Sequence, residues 1–570
     1  MNSITIQTIS QSRRRIVLFA LFVAMAALLG RAVYLQHYKR DFLQHQGVIR
    51  HQRLMPILAN RGVISDRNGE VLAVSTPVNS VWADARYTKI DDQQLSELAN
   101  LLETDKQRLA DRILARPDRA FVYLKRHIEP QIGKRVKDLA IPGIHLQREY
   151  HRYYPWSEVS SHVLGFTDID DRGQEGIELA YNDWLGGLQG EKSVIRDRLG
   201  QVVKDLPRFR APNPGKNVKL SLDIRIQYQA YKELMSAVQK EGARSGSIVV
   251  LDPHNGEVMA MVNYPPFNPN NRASLHSQRI RNRAVTDLFE PGSTVKPFAV
   301  AAAIENGLFS PETLIDTSPG WYMVRGHTIQ DEHNYGKINL SRVIIKSSNV
   351  GAAKIALAMS AQELWNVYRQ VGFGENPGSG FPGEVGGLLS DYHGWNKIER
   401  ATLAFGYGLS VTPLQLAQAY SILANGGLRT TATFLATDIP KLGPRVMSAK
   451  TCRKIREMLE GVVSAEGTAK LAGIEGYRVA GKTGTVHKST KNGYAKDRYV
   501  SVFAGMAPAS NPRLVTVVML DEPSKGRYFG GVVAAPVFAK VMAEALRLLG
   551  VPPDDLPTLQ ANTAARAGSA

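Results

Sequence analysis

The sequence predicts an α+β protein: one antiparallel sheet with helices packed on it, preceded by an elongated α+β pedestal module and a single membrane-spanning helix. Three observations predict this. An uncharged, mostly apolar run follows Arg13-Arg-Arg15 near the N-terminus, and Pro212-Asn-Pro-Gly215 punctuates the chain well before its middle. Beyond that break, strand-like runs stand at both ends of the remaining sequence with helical segments between them. That order suggests one antiparallel sheet with helices packed on it.

The apolar run, counted from Ile16 to Leu35, is about 20 residues, enough for about 30 Å of hydrocarbon. No small-x-small cleavage site follows it, and the pattern continues through Arg31 to Tyr34 at an interfacial position. It therefore reads as an uncleaved anchor rather than a signal peptide. Residues 1–15 are expected in the cytoplasm, 16–36 in the membrane and the rest outside.

Residues 37–217 form the pedestal. It is rich in charge and shows a hairpin over 62–73 turning at Asn68-Gly69, a helix within 91–114 and another over 176–184, with no catalytic constellation. The second domain spans 218–551. It begins with a hairpin, 247–251 and 257–262, around Asp252-Pro-His-Asn-Gly256. It ends with strands over 499–506 and 514–520 flanking Asn511-Pro512, and an amphipathic helix over 536–549. The Pro-, Ala- and polar-rich tail, 552–570, is expected to be disordered.

Composition narrows the function. The chain has 570 residues, 44% hydrophobic and 21% charged, ordinary values for globular domains. Seventy Lys and Arg against 52 Asp and Glu give +18, which favours anionic lipid headgroups or other polyanions. No basic run is interleaved with aromatics, so nucleic acid is not an expected partner. Cys452 is the sole cysteine, which excludes an intrachain disulfide, and no Cys/His cluster suggests a metal.

Three strings carry the chemistry: Ser293-Thr-Val-Lys296, Ser347-Ser-Asn349 and Lys482-Thr-Gly-Thr485. A serine hydroxyl is a weak nucleophile that needs a base, a proton relay and donors for the developing oxyanion. Glu290-Pro-Gly292 breaks the chain before a helix whose first turn accommodates Pro297, so Ser293 and Lys296 fall on one face. Alone, this is equally a helix cap beside a solvated lysine. Lys296 acts as a base only if burial and a second cation depress its pKa, and Lys482 is the candidate cation. Gly484 is expected to let a ligand lie against the backbone. Ser347-Ser-Asn349 reads by composition as a capped turn.

In this order and at these separations the strings resemble those of the penicillin-recognising serine acyl-transferases. The resemblance covers nearly the whole chain, through Arg61-Gly-Val-Ile-Ser-Asp-Arg-Asn-Gly69, the segment Arg281 to Phe298, Phe405-Gly-Tyr-Gly-Leu-Ser-Val-Thr412 and Asp521-Glu-Pro-Ser524. The chain resembles a class B penicillin-binding protein, and within that class the Gram-negative cell-division transpeptidases of the penicillin-binding protein 3 family. The fold implied is the penicillin-binding-protein/serine β-lactamase-like transpeptidase domain on a dimerisation-like pedestal, at the inner membrane with the catalytic domain periplasmic.

The resemblance implies a D,D-transpeptidase of peptidoglycan without cofactor. Ser293 is expected as nucleophile, Lys296 as its base, Ser347 as proton carrier, Asn349 as a grip on a substrate amide and Lys482 as the electrostatic partner. Thr483 and Thr485 are expected to hold the substrate carboxylate beside Lys482, with Ser293 and Thr485 N–H groups facing the oxyanion. Tyr407, Tyr499, Tyr528 and Phe529 match positions lining the site in the family, and are by themselves as readily core. Implied partners are a D-Ala-D-Ala stem pentapeptide donor, a diaminopimelate acceptor, β-lactams as covalent inhibitors, a polytopic glycan polymerase and other divisome proteins. One departure stands out: Val486-His487 occupies the place of Ala-Arg in many relatives. Alternatives are a D,D-carboxypeptidase or serine β-lactamase using water, an elongation-type or conditional paralogue, and an inactive tethered sensor, for which about 15 cytoplasmic residues offer little output.

Overall fold

The computed structural model describes residues 11–43, 52–114, 118–196, 202–437, 439, 442–490 and 493–555. Helix α1 (Gln11–Val33) has no buried residue and is long and apolar enough to cross a membrane. Its 23 residues rise about 34 Å. Residues 1–10 of the expected cytoplasmic tail lie outside the described residues.

The chain divides into two compact units. The first comprises Met1–Asn60, Pro77–Tyr150 and Gly187–Pro214. Here helices Asp92–Leu101, Lys106–Leu114 and Pro130–Asp138 and the strand Val122–Ile128 enclose a core that includes Val81, Leu98, Leu102, Leu109, Leu124 and Val136. The helix expected within 91–114 is two helices, because Glu103 adopts φ +46° and interrupts the ladder. A separate sheet pairs Gln52–Ile57, Gly190–Arg196 and Val202–Arg210 in that order.

The second unit comprises Arg61–Thr76, His151–Gly186 and Gly215–Ala570. Segments 61–76 and 151–186, which the sequence places inside the 37–217 pedestal, thus cluster with the C-terminal residues. Hydrogen bonds tie them there: Arg67 Nη1 donates to Glu257 Oε2, Ile224 N to Asp66 Oδ2 and Gln227 Nε2 to Val159 O. Fully buried ion pairs tie the two segments to each other, with Arg61 Nε and Arg152 Nε donating to the two oxygens of Glu178 at 2.7 and 2.6 Å. Arg152 also donates to Gly62 O, and Arg61 to Asp171 O. Ile64–Ser65 turns back on 71–73 as the expected hairpin, with Gly69 at φ +92°, and pairs in parallel with Val218–Lys219. The helix expected over 176–184 is two short ones, Gly176–Ala180 and Asn182–Gly186.

The main sheet of this unit has five strands: β1 (Ser245–Leu251), β2 (Val258–Tyr264), β3 (Ala480–Thr490), β4 (Gly493–Ala507) and β5 (Leu514–Asp521). Their order is β2-β1-β5-β4-β3, every pair antiparallel. All seven residues of β1 are buried, as expected of a strand covered on both faces. Helices α2 (Ile224–Glu241) and α7 (Ala535–Leu548) pack against each other and the sheet; α5 (Pro413–Ala424) and α6 (Ala449–Val463) also pack on it. Between α6 and the site run α3 (Lys296–Glu305), buried over eight of its ten residues, and α4 (Asn349–Ala358). Order continues past the expected boundary at 551, because Asp554 accepts hydrogen bonds from Arg478 N and Ser510 Oγ. The remainder of the tail, 556–570, lies outside the described residues.

Candidate active site

The site forms where edge strand β3 meets the turn that opens α3. Ser293 sits in a 3₁₀ turn, Gly292–Val295, and Lys296 begins the α-helix with Pro297 in its first turn. Glycine is required before the serine. Gly292 has φ +54°, and a Cβ there would lie 2.4 Å from Val486 Cγ2. Gly406, at φ +86°, presses on the Gly292 backbone, where its own Cβ would come within 2.2 Å of Gly292 O.

Above the turn opens a cleft of about 550 Å³. Ser293, Ser347, Asn349, Thr483 and Thr485 line it, as do Tyr407, Tyr499, Tyr528 and Phe529. Lys296 and Lys482 are fully buried beneath it. Three stretches far apart in sequence therefore converge, through one oxygen. Lys296 Nζ lies 3.2 Å from Ser347 Oγ, and Lys482 Nζ lies 3.0 Å from the same atom. Lys296 Nζ also donates to Ser347 O at 2.5 Å and Asn349 Oδ1 at 2.8 Å. Lys296 Nζ thus faces three acceptors, Ser347 O, Ser347 Oγ and Asn349 Oδ1, and Lys482 Nζ donates to the same Ser347 Oγ. Ser293 Oγ has no hydrogen bond to Lys296 among the described residues; it faces the cleft half-exposed.

Burial and charge set the protonation. Burial pushes Lys296 well below the ordinary lysine range, and the Lys482 ammonium pushes it further; Asp331 and Glu332 act the other way. Burial brings Lys482 down to about 7. Ser347 supplies its hydroxyl from a strained backbone at φ +59°, a conformation that costs a non-glycine residue about 1–2 kcal/mol. Its neighbours hold it there: Ser348 N donates to Val343 O, and Ser348 Oγ donates to Asp331 Oδ2 and accepts from Gly351 N at the start of α4.

Sequence reasoning missed Asp331. Its Oδ1 accepts the N–H groups of Asn349 and Val350, so this carboxylate anchors the Ser347–Asn349 turn. Glu290 and Thr468 were also missed. Glu290 Oε1 accepts from Gly408 N and from Tyr494 Oη in the β3–β4 hairpin, both at 2.9 Å. Thr468 Oγ1 lies 3.0 Å from Thr483 Oγ1. Asp331 and Thr468 belong to no recognisable string, and Glu290, though inside the segment Arg281 to Phe298, reads there only as part of a chain break.

Gly484 corrects an expectation. It does not line the cleft; an added Cβ would meet Pro291 O at 2.9 Å and Thr294 Cγ2 at 3.1 Å. The missing side chain makes room for the serine turn, not for a ligand. Thr485 Oγ1 accepts from Gly530 N, which leaves its own proton for the cleft. The aromatics form a wall: Tyr499 stacks on Tyr528 at 4.0 Å, Phe529 tilts against Tyr528, and Tyr407 meets Tyr494 edge-on. Phe529 is 48% exposed, Tyr499 and Tyr528 are half-buried, and Tyr407 packs against the core. His487 also lines the cleft, tied by Nδ1 to Ala495 O at 2.8 Å.

A helix-covered antiparallel sheet with this lysine–serine–lysine centre defines a class of serine acyl-transferases, and the family comparisons agree. The family model for the penicillin binding protein transpeptidase domain matches residues 246–543, and that for the penicillin-binding protein dimerisation domain matches 56–220. The chain belongs to the penicillin-binding proteins that carry a transpeptidase domain. It is 42% identical over 544 residues to the probable peptidoglycan D,D-transpeptidase PbpC of Pseudomonas aeruginosa, covering 95% of this chain and 96% of that protein. It is 41% identical over 544 residues to the peptidoglycan D,D-transpeptidase FtsI of Escherichia coli, covering 94% and 92%. Among solved structures, the transpeptidase domain of Burkholderia pseudomallei penicillin-binding protein 3 matches at 44% identity and a TM-score of 0.55, covering 59% of this chain and 98% of that one. Penicillin binding protein 3 of Mycobacterium tuberculosis, complexed with aztreonam, matches at 28% identity and 0.67, covering 88% and 98%.

Proposed function

We propose that this protein is a peptidoglycan D,D-transpeptidase that crosslinks stem peptides through an acyl-enzyme on Ser293 and is trapped there by β-lactams. The observation that carries the reading is the shared Ser347 hydroxyl between two fully buried lysines beneath an accessible serine. In the cycle, Lys296 takes the Ser293 proton as Oγ attacks the penultimate D-Ala carbonyl. Ser347 passes a proton to the departing D-Ala, and Lys482 keeps Lys296 neutral. Backbone N–H groups of Ser293 and Thr485 face the oxyanion; such donors contribute about 3 kcal/mol each. Thr483 and Thr485 hold the terminal carboxylate beside Lys482, and Asn349 grips the donor amide. Tyr407, Tyr499, Tyr528 and Phe529 wall the substrate in.

Intact-mass measurement after benzylpenicillin tests this. An adduct on Ser293 lasting minutes to hours supports a transpeptidase, whereas rapid turnover would identify a β-lactamase. A pH prediction follows from the lysines. Acylation should rise with pH on a limb set by Lys296, which lies well below the ordinary lysine range, and decline near 7 as Lys482 loses its proton. In Lys482→Met the nearby charge that depresses Lys296 is gone, so the rising limb should move to higher pH. Stopped-flow acylation between pH 5 and 9 reads both; an unmoved limb contradicts the coupling. Gly484→Ala should slow acylation on the order of 10²-fold by displacing the serine turn, and should also lower the melting transition because the new Cβ meets backbone at Pro291 O.

The topology belongs to the same proposal. Helix α1 anchors the chain once in the inner membrane, with 1–15 cytoplasmic, 16–36 spanning, 37–217 a periplasmic pedestal that docks a glycan polymerase and other divisome proteins, and 218–551 catalytic. Similarity to FtsI supports a septal role. Complementation of a septal-transpeptidase depletion strain tests it, and failure there with rescue of an elongation defect would reassign it. Deletion of 77–150, which leaves 61–76 and 151–186 of the second unit in place, should abolish polymerase association.

A further inference from the structure

The cleft presents two acidic side chains, Asp331 and Glu332. Asp331 is fully engaged, its oxygens accepting from Ser348 Oγ and the N–H groups of Asn349 and Val350. Glu332 is different. It is exposed on the cleft wall, and its carboxylate has no hydrogen bond or ion pair among the described residues. Lys346, a cation that lines the cleft, donates to Glu466 O at 2.8 Å. Glu332 is also near enough to raise the pKa of both Lys296 and Lys482, so its charge is felt at the floor where the ester forms.

We infer that Glu332 binds the ammonium group of the acceptor strand, an assignment that rests on the reading of Ser293 as the acylated nucleophile. Lys482, Thr483 and Thr485 offer cationic and hydroxyl groups, which suit the donor's carboxylate and not a cation. The acceptor brings the opposite charge: a primary amine with an ordinary pKa near 10 reaches the site protonated. On a chain with net charge +18, general electrostatics disfavour its approach, and an unpaired carboxylate at the cleft mouth reverses that locally.

The step balances as follows. The ammonium docks on Glu332 and releases one proton through that carboxylate to solvent. The neutral amine attacks the ester carbonyl; its C–N bond forms and the C–O bond to Ser293 breaks. A second proton passes from the nitrogen through Lys296 to Ser293 Oγ, which regenerates the hydroxyl and leaves an amide carrying the third.

The test uses the full chain in detergent, a thioester donor ending in D-Ala, and a tripeptide bearing meso-diaminopimelate as the acceptor probe. The readout is the ratio of transfer to hydrolysis, which factors out changes in acylation itself. Glu332→Gln should lower the ratio at least tenfold, and Glu332→Asp should recover part of it. An analogue whose amine is replaced by a hydroxyl carries no positive charge, so its transfer ratio should be the same in Glu332→Gln as in the parent. A ratio unchanged within twofold for the amine overturns the inference, as does a parent enzyme that hydrolyses the donor without transfer. A parent that never forms the Ser293 ester fails at the earlier reading instead, and intact mass distinguishes the two.

Discussion

Replacement of Ser293 by alanine is expected to abolish covalent labelling by fluorescent penicillin, with acylation falling at least ~10⁴-fold, equivalent to about 5 kcal/mol of transition-state stabilisation. The lysines cannot substitute for the nucleophile. Both Nζ atoms lie beneath the cleft with their contacts directed to Ser347, Asn349 and Thr483. The same substitution should leave folding intact. Ser293 Oγ has no intramolecular hydrogen bond among the described residues, and the side chain is only half-buried, so its loss orphans no partner and opens no sealed cavity. Gel fluorescence reads the first effect and thermal denaturation the second. Labelling that persists in Ser293→Ala would place the nucleophile elsewhere and remove the mechanism.

The largest stability effect is expected far from Ser293, at Glu178. Its carboxylate is completely buried and neutralises Arg61 and Arg152, whose side chains are 2% and 1% exposed. In Glu178→Ala two guanidinium groups lose their counter-charge in a site without water access. Removing one partner from a buried ion pair typically costs about 3–5 kcal/mol, because the remaining charge stays desolvated. Asp171 is a poor replacement: its Oδ2 is held by Ser75, and burial raises its pKa to about 6 despite the nearby arginines. The transition of the second unit should therefore fall by many degrees, and 61–76 and 151–186 should gain hydrogen exchange first. A loss below about 1 kcal/mol, or exchange confined to 77–150, would show that the network is not what holds these segments.

Much of the site was legible because its chemistry demands particular residue types at short spacing. Serine and lysine three apart at a helix start, and lysine followed by small hydroxyl residues on a strand, state their geometry locally. Hairpins were legible for the same reason, since Asn68-Gly69 and Asn255-Gly256 supply the positive φ their turns need. The unread parts depend on long-range contacts. Asp331 and Glu332 look like any solvated acidic pair, and nothing local says that one caps the second motif while the other faces the cleft. Glu178 reads as one charge on a charged module; its burial is set by arginines 117 and 26 residues away. Gly484 was read correctly as a close approach but assigned the wrong neighbour, because the sequence does not tell which backbone comes near.

The bond between Tyr494 and Glu290 ties the far reach of the β3–β4 hairpin to a residue three positions ahead of the nucleophile. Gly408, on the loop that presses against Gly292, is fastened to the same carboxylate oxygen. Hairpin, loop and nucleophile turn are thus moored at one point, and a tug on any of them is felt by the other two. A substituent that displaces the hairpin is therefore expected to shift the backbone that carries Ser293, so reactivity should be tunable from a distance without altering a single residue of the three motifs.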